Sequence, residues 1–241
     1  MRFEALAVDF DDTIAEDGRV PVGVVDAFLH LRRLGRKLLL VTGRELDDLM
    51  STCRYLDVFD LVVAENGALL YAPRPPKEHP LASPPPSSFV ATLRARGVGP
   101  LSCGRIVIAT FQPHEQTVLE VIRETGLELE MIFNKGAVMI LPSGVNKATG
   151  LRTALAELHI QTSDVVAVGD AENDHSLLGA CGFGVAVANA VPSLKHRADF
   201  VTSQPRGSGV IELCELLLAG DLPLADRVAP LSIGPSRTTS H

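Results

Sequence analysis

Apolar residues along this chain fall into two patterns that take turns. Short unbroken runs, Ala5-Leu6-Ala7-Val8, Leu38-Leu39-Leu40-Val41, Leu61-Val62-Val63 and Val165-Val166-Ala167-Val168, have the length and composition of strands buried on both faces. Between them lie stretches with an apolar residue every three or four positions, as at Val24, Phe28 and Leu31, after which Gly35 supplies a stop. The spacing predicts helices over 22–34, 45–56 and 147–158, another ending near 180, a short one near 194 and a last one over 210–218. Further strands are expected at 184–188 and 200–201. Strands alternating with helices in this way imply a doubly wound parallel sheet, an α/β fold.

The alternation stops at Ala72. Pro73, Pro75, Pro76, Pro80, Pro84, Pro85 and Pro86 follow closely, and so dense a set of prolines excludes a helix interior or a central strand. The stretch 73–86 is therefore expected to be a linker or hinge. Beyond it a different unit is predicted: helix 88–96, strand 105–110, helix 115–125, then a hairpin of 127–133 and 137–141 turning through Asn134-Lys135-Gly136. Pro142-Ser143-Gly144 closes it, and the first pattern resumes. The expected organisation is a core of 1–72 and 143–218, an inserted α+β lobe of 73–142, and a flexible tail of 219–241 rich in Gly, Pro, Ser and Thr.

Composition narrows the class. The chain has 241 residues, 46% of them hydrophobic, which is enough for one full core with a modest second lobe. A formal net charge of −7 argues against non-specific nucleic-acid binding and against an anionic membrane surface. No apolar run approaches the roughly 20 residues of a membrane helix, and the acidic start is unlike an export signal, so a cytoplasmic location is expected. Cys53, Cys103, Cys181 and Cys214 are scattered without a CxxC pair and read as reduced thiols, not as a metal site.

The chemistry gathers where strands end, the side on which open α/β sheets bind ligands. Those ends carry Asp9-Phe10-Asp11-Asp12-Thr13, then Thr42-Gly43-Arg44, then Gly169-Asp170-Ala171-Glu172-Asn173-Asp174. On neighbouring strands, Asp9, Asp11, Asp170 and Asp174 would converge. Such a cluster is costly unless a hard cation with oxygen ligands offsets it, and Mg²⁺ fits best where a substrate phosphate completes the shell. Lys147, opening a helix after the inserted lobe, can bring a compact positive charge to the same place. Singly, each motif has a plainer reading: Thr42 or Asp174 as a helix cap, Lys147 as a surface residue, Asp12 as an exposed turn residue. Their order and placement make the joint reading functional.

These motifs resemble those of the haloacid dehalogenase superfamily of Mg²⁺-dependent phosphatases, and in particular its Cof-like branch, subfamily IIB. Asp9-Phe10-Asp11-Asp12-Thr13 is similar to the first motif, Val41-Thr42-Gly43-Arg44 to the second, Gly144-Val145-Asn146-Lys147 to the lysine motif and Gly169 to Asp174 to the fourth. Glu65-Asn66-Gly67-Ala68 and Val187-Ala188-Asn189-Ala190 are further echoes. The resemblance spans 5–218. It implies a Rossmann-like core with a cap of the C2B type, and hydrolysis of small phosphate monoesters through an aspartyl phosphate. Asp9 would be the nucleophile, Asp11 the general acid and base, Thr42 a phosphoryl hydrogen-bond donor and Lys147 the charge partner. Asp9, Asp11 (through its carbonyl), Asp170, Asn173 and Asp174 would hold or orient Mg²⁺. Thr42, Gly43, Arg44, Lys147 and Asn189 would contact substrate, and Arg105, Phe111, His114, Asn134 and Lys135 are candidate cap contacts. Sugar phosphates are the expected substrates, with phosphoglycolate as the alternative. A phosphomutase and a non-catalytic phosphosugar-binding regulatory domain are the competing functions. The expected partner is a small phosphate ester, with no nucleic acid or membrane. Substrate identity and oligomeric state are not encoded in these motifs.

Overall fold

The computed structural model describes residues 2–223. The chain begins β1 (Ala5–Val8), α1 (Val22–Arg33), β2 (Lys37–Val41), α2 (Leu46–Thr52), β3 (Leu61–Ala64), β4 (Leu69–Pro73) and β5 (Pro76–Pro80). An inserted segment follows: α3 (Ser87–Ala95), β6 (Ser102–Cys103), β7 (Ile108–Phe111), α4 (Glu115–Thr125), β8 (Leu129–Asn134) and β9 (Ala137–Pro142). The chain then returns through α5 (Lys147–Leu158), β10 (Val165–Gly169), α6 (His175–Ala180), β11 (Phe183–Ala186), α7 (Pro192–Lys195), β12 (Phe200–Val201) and α8 (Arg206–Ala219).

The main sheet runs β12-β11-β10-β1-β2-β3-β4-β5 and is parallel from β12 to β3. Its four-residue strand β1 is wholly buried, as an unbroken apolar run between two helical layers must be. The strand order reverses between β1 and β10, so a crevice opens outside their carboxyl ends. Register makes this sharp. Val8 pairs Val168, and the Asp9 N–H donates to the Val168 carbonyl at 3.0 Å, so Asp9 and Asp170 leave adjacent strands within one residue of the same level.

The proline-rich stretch departs from expectation. Residues 73–80 are not a linker: they complete β4 and form β5, an antiparallel hairpin on the edge of the main sheet. Proline is tolerated there because an edge strand has one side without a ladder partner, and β5 is exposed along its whole length. The expected break at Ala72 therefore falls inside the sheet, and the inserted segment begins beyond Pro80. Residues 81–86 fit the linker reading better, since they lie between β5 and α3. In the same way α8 starts at Arg206, earlier than expected, and ends at Gly220 in a left-handed cap. Of the expected tail, residues 224–241 lie outside the described residues.

The inserted segment has its own sheet, β6-β7-β9-β8, all antiparallel, with α3 and α4 over one face. Phe89, Leu93, Ile108, Val118, Val121 and Ile140 form its core. The opposite face, with Ile106, Val107, Met139 and Leu141, packs against Ala68 of the main unit. One side chain pins the two units together. Glu65, fully buried in the turn after β3, receives the N–H groups of Arg105 (2.7 Å), Ile106 (2.7 Å) and Val107 (3.0 Å). A buried carboxylate is tolerable only with such partners. Gly104 is required here, because a Cβ on it would come within 2.5 Å of Glu65 Oε1.

Glu65→Gln should weaken this contact, since an amide offers one acceptor oxygen and turns its NH₂ toward backbone donors. We expect a loss of about 2–3 kcal/mol in urea denaturation, with faster hydrogen exchange at the amides of 105–107. Unchanged exchange there would show that the two units are joined by apolar packing alone.

Candidate active site

Three carboxylates meet at the crevice. Asp9 follows β1, Asp170 follows β10, and Asp174 sits in a 3-10 turn between β10 and α6; each can offer an oxygen within 4.8 Å of the others. All are buried, at 5%, 1% and 0% exposure. Burial, reinforced by Asp174 and Asp170, pushes the Asp9 carboxyl well above its usual range despite the nearby Lys147. Burial also raises the Asp170 carboxyl, opposed chiefly by Lys135.

The compensating charge comes from α5. Lys147 is 1% exposed, and its Nζ donates to Asp9 Oδ1 at 2.5 Å and Asp174 Oδ1 at 2.6 Å. Burial alone would discharge the lysine, but Asp174 and Asp9 outweigh it and hold the ammonium charged. Local sequence places it there. Asn146 caps α5, its side chain accepting from the Ala148 and Thr149 N–H groups at 3.1 Å, while the Thr149 hydroxyl accepts the Asn146 N–H. The start of this helix is pressed onto the turn after β3, where Gly67 has φ 109° and a Cβ would lie 2.0 Å from the Asn146 carbonyl. Asp174 Oδ2 accepts the N–H groups of Asp170 and Ala171, both at 3.0 Å, so this carboxylate also fixes the end of β10.

The donor set tests well for a divalent cation. Hard carboxylate oxygens converge, Thr13 Oγ1 orients Asp170 at 3.1 Å, and buried negative charge exceeds what Lys147 alone offsets. Asn173 donates through Nδ2 to Asn66 Oδ1 at 3.0 Å, beside Gly43, and its own Oδ1 is buried without a hydrogen-bond partner. It borders the Thr42–Gly43 turn.

Thr42 is fully buried after β2, and its Oγ1 accepts the Arg44 N–H at 3.1 Å. Arg44 reaches across to Asp11, with Nε and Nη2 donating to the carboxylate at 2.8–3.1 Å, and lies over the Phe10 ring. Its other nitrogen, Nη1, binds Asp48 at 2.7 Å and Thr52 at 3.3 Å. Arg44 thus grips the candidate acid and base. Asp11 and Arg44 open onto a cavity of about 510 Å³ walled by Val107, Ala109, Phe111, Asn134 and Met139 of the inserted segment. Phe111 and Asn134 are thus on this wall, whereas Arg105 is spent on Asp47 and Glu78 and His114 on Gly99. Asn189 is committed at both ends, donating to the Asp12 carbonyl at 2.9 Å and accepting the Arg206 N–H at 2.7 Å, so it holds loops.

Sequence reasoning passed over three residues. Glu65 was visible as an acid at the end of a buried strand, a position that demands donors. Asp12 read as an exposed turn residue, yet it is paired with both Lys135 and Arg206. Arg206 carried no signal, because its partner is 194 residues away.

Comparison with known proteins agrees with this geometry. A family model described as haloacid dehalogenase-like hydrolase matches residues 6–92 and 115–213. The phosphoglycolate phosphatase of Methanothermobacter thermautotrophicus is 33% identical over 218 residues, covering 86% of this chain and 96% of that protein. That of Pyrobaculum neutrophilum is 31% identical, covering 91% and 98%. The crystal structure of Thermoplasma acidophilum 0175 superposes with a TM-score of 0.78 at 13% identity, over 89% of this chain and 98% of that one. The subclass IIB sugar phosphatase BT4131 superposes with a TM-score of 0.73 at 19% identity, over 91% and 100%, and both share the fold. With a parallel sheet, a crevice of carboxylates at its switch point and a family match over most of its length, this chain belongs to the haloacid dehalogenase-like hydrolases, in their Cof-type branch.

Proposed function

We propose that the protein is a Mg²⁺-dependent phosphatase that hydrolyses small phosphate monoesters through an aspartyl phosphate on Asp9. The observation that carries this reading is the Lys147–Asp9–Asp174 group, which orients a buried carboxylate in the crevice and sets a positive charge against it. The relatives named phosphoglycolate phosphatase and the sugar-phosphatase neighbour favour it. Asp9, Asp170 and Asp174 would hold the cation, which supplies positive charge to the phosphoryl oxygens and lowers repulsion between phosphate and carboxylate. Lys147 neutralises Asp9 and the incoming phosphoryl charge. The Thr42 hydroxyl, with its oxygen already accepting from Arg44, is free to turn its proton toward a phosphoryl oxygen. Asp11, at the cavity edge, delivers a proton to the leaving oxygen and later takes one from water.

The inserted segment acts as the cap. Its wall over the cavity is partly apolar and stands beside Asp11, so a compact leaving group fits and a folded protein substrate does not. No helix among the described residues is long and apolar enough to cross a membrane.

EDTA should abolish phosphate release from 2-phosphoglycolate or a sugar phosphate, and Mg²⁺ should restore it. Undiminished turnover in EDTA would remove the metal from the scheme. Asp9→Asn should leave no measurable turnover while circular dichroism stays native, and retained activity would mean another nucleophile. Lys147→Met should cost about 3–5 kcal/mol of stability in EDTA, because it leaves Asp9 and Asp174 buried without a counter-charge. Mg²⁺ should return part of that loss by binding the native state. Activity should fall by at least about a hundredfold. A variant as stable as wild type in EDTA would show that the carboxylates are protonated and not paired.

A further inference from the structure

The two-residue turn between β8 and β9 delivers a second lysine to the crevice. Lys135 and Gly136 have φ of 46° and 88°, the left-handed pair that a tight hairpin turn requires. Lys135 Nζ donates to Asp12 Oδ2 at 2.7 Å and to Asp170 Oδ2 at 2.6 Å, and its backbone N–H faces Glu172 Oε2 at 3.3 Å. Asp12 is a prepared receptor: Arg206 Nε donates to its other oxygen at 3.1 Å, and the Arg206 guanidinium is fastened to Glu16. Asp12, Lys135 and Arg206 all adopt left-handed backbone conformations that non-glycine residues rarely accept, at φ of 57°, 46° and 49°.

The two partners of Lys135 differ in kind. Asp170 belongs to the carboxylate trio suited to a cation, whereas Asp12 does not. An ammonium and a divalent cation compete for the charge of one carboxylate, so with Asp170 engaged by Mg²⁺ the lysine keeps only Asp12. It then stands partly exposed beside the cation site, held by Asp12 and with ammonium donors left for a second anion. The phosphoryl group already has Lys147. Arg44, the other cation at the cavity, has its nitrogens engaged by Asp11, Asp48 and Thr52. Lys135 follows Asn134, which walls the cavity with the uncharged Ala137, Met139 and Phe111, and its Nζ is fixed on Asp170 at the cation site.

We infer that Lys135 is a specificity-determining residue that binds a carboxylate on the leaving group, and so selects phosphomonoesters of small hydroxy acids over neutral ones. This rests on the phosphatase reading above.

The test compares 2-phosphoglycolate with its neutral isostere, 2-phosphoglycolamide, on wild type, Lys135→Met and Lys135→Arg, each with Mg²⁺. Lys135→Met should lower the acid-to-amide ratio of kcat/KM by about thirtyfold, mainly through KM for the acid, and Lys135→Arg should keep part of the preference. Calorimetric titration with Mg²⁺ alone should show tighter binding to Lys135→Met than to wild type, by about fivefold or more, since a competitor for Asp170 is gone. A ratio within threefold of wild type, including equal loss on both esters, overturns the inference and leaves the phosphatase reading standing. Unchanged Mg²⁺ affinity overturns the exchange at Asp170. Wild-type protein that cleaves neither ester overturns the phosphatase reading and this inference with it.

Discussion

Carboxylates buried within a few ångströms of one another repel, and in a water-poor crevice nothing dissipates that repulsion. The Lys147 ammonium between Asp9 and Asp174 is what makes the arrangement possible here. Much of the architecture can be understood as support for it. The parallel register of β1 and β10 sets Asp9 and Asp170 side by side, the cap of α5 starts that helix at the lysine, and Gly67 lets the turn after β3 press against that start. A buried pair of this kind is a poor source of stability, because desolvation consumes most of the Coulombic gain. Its retention in so well-packed a core is better explained by the chemistry it permits than by the folding energy it adds.

The same physics governs how the two sheets meet. Glu65 places a charge in the interface and satisfies it with three successive backbone donors from the inserted segment. Lys135 does the reverse, carrying a charge from the inserted segment onto core carboxylates. The two contacts differ in their capacity to change. Backbone donors on a fully buried carboxylate have no competing partner and act as a fixed pivot. An ammonium on half-exposed Asp12 and cation-suited Asp170 meets solvent and ions, and can exchange.

What could be read from the sequence follows from the range of the interactions. Unbroken apolar runs specify buried strands, so the parallel sheet and its order of helices were legible, as was the convergence of motifs at strand ends. Local chemistry specified the Asn134-Lys135-Gly136 turn and the start of α5. The edge hairpin of β4 and β5 was not legible, because prolines exclude only central strands and nothing local distinguishes an edge strand from a linker. Glu65, Asp12 and Arg206 were missed for a different reason. Their roles depend on partners 40 to 194 residues away, and no local pattern encodes such a pairing.

The Asp11–Arg44 pair bears on how the proposed chemistry is divided. A general acid and base must reach the leaving oxygen and then water, yet the Arg44 guanidinium grips both carboxylate oxygens of Asp11. Arg44 is in turn shared with Asp48 and Thr52 on α2, so it can release Asp11 without itself becoming an unpaired charge. Arg44 occupies both oxygens of Asp11, so in the proposed scheme Asp11 serves the leaving oxygen and then water only as that grip loosens, and Asp48 and Thr52 hold the guanidinium in place while it does.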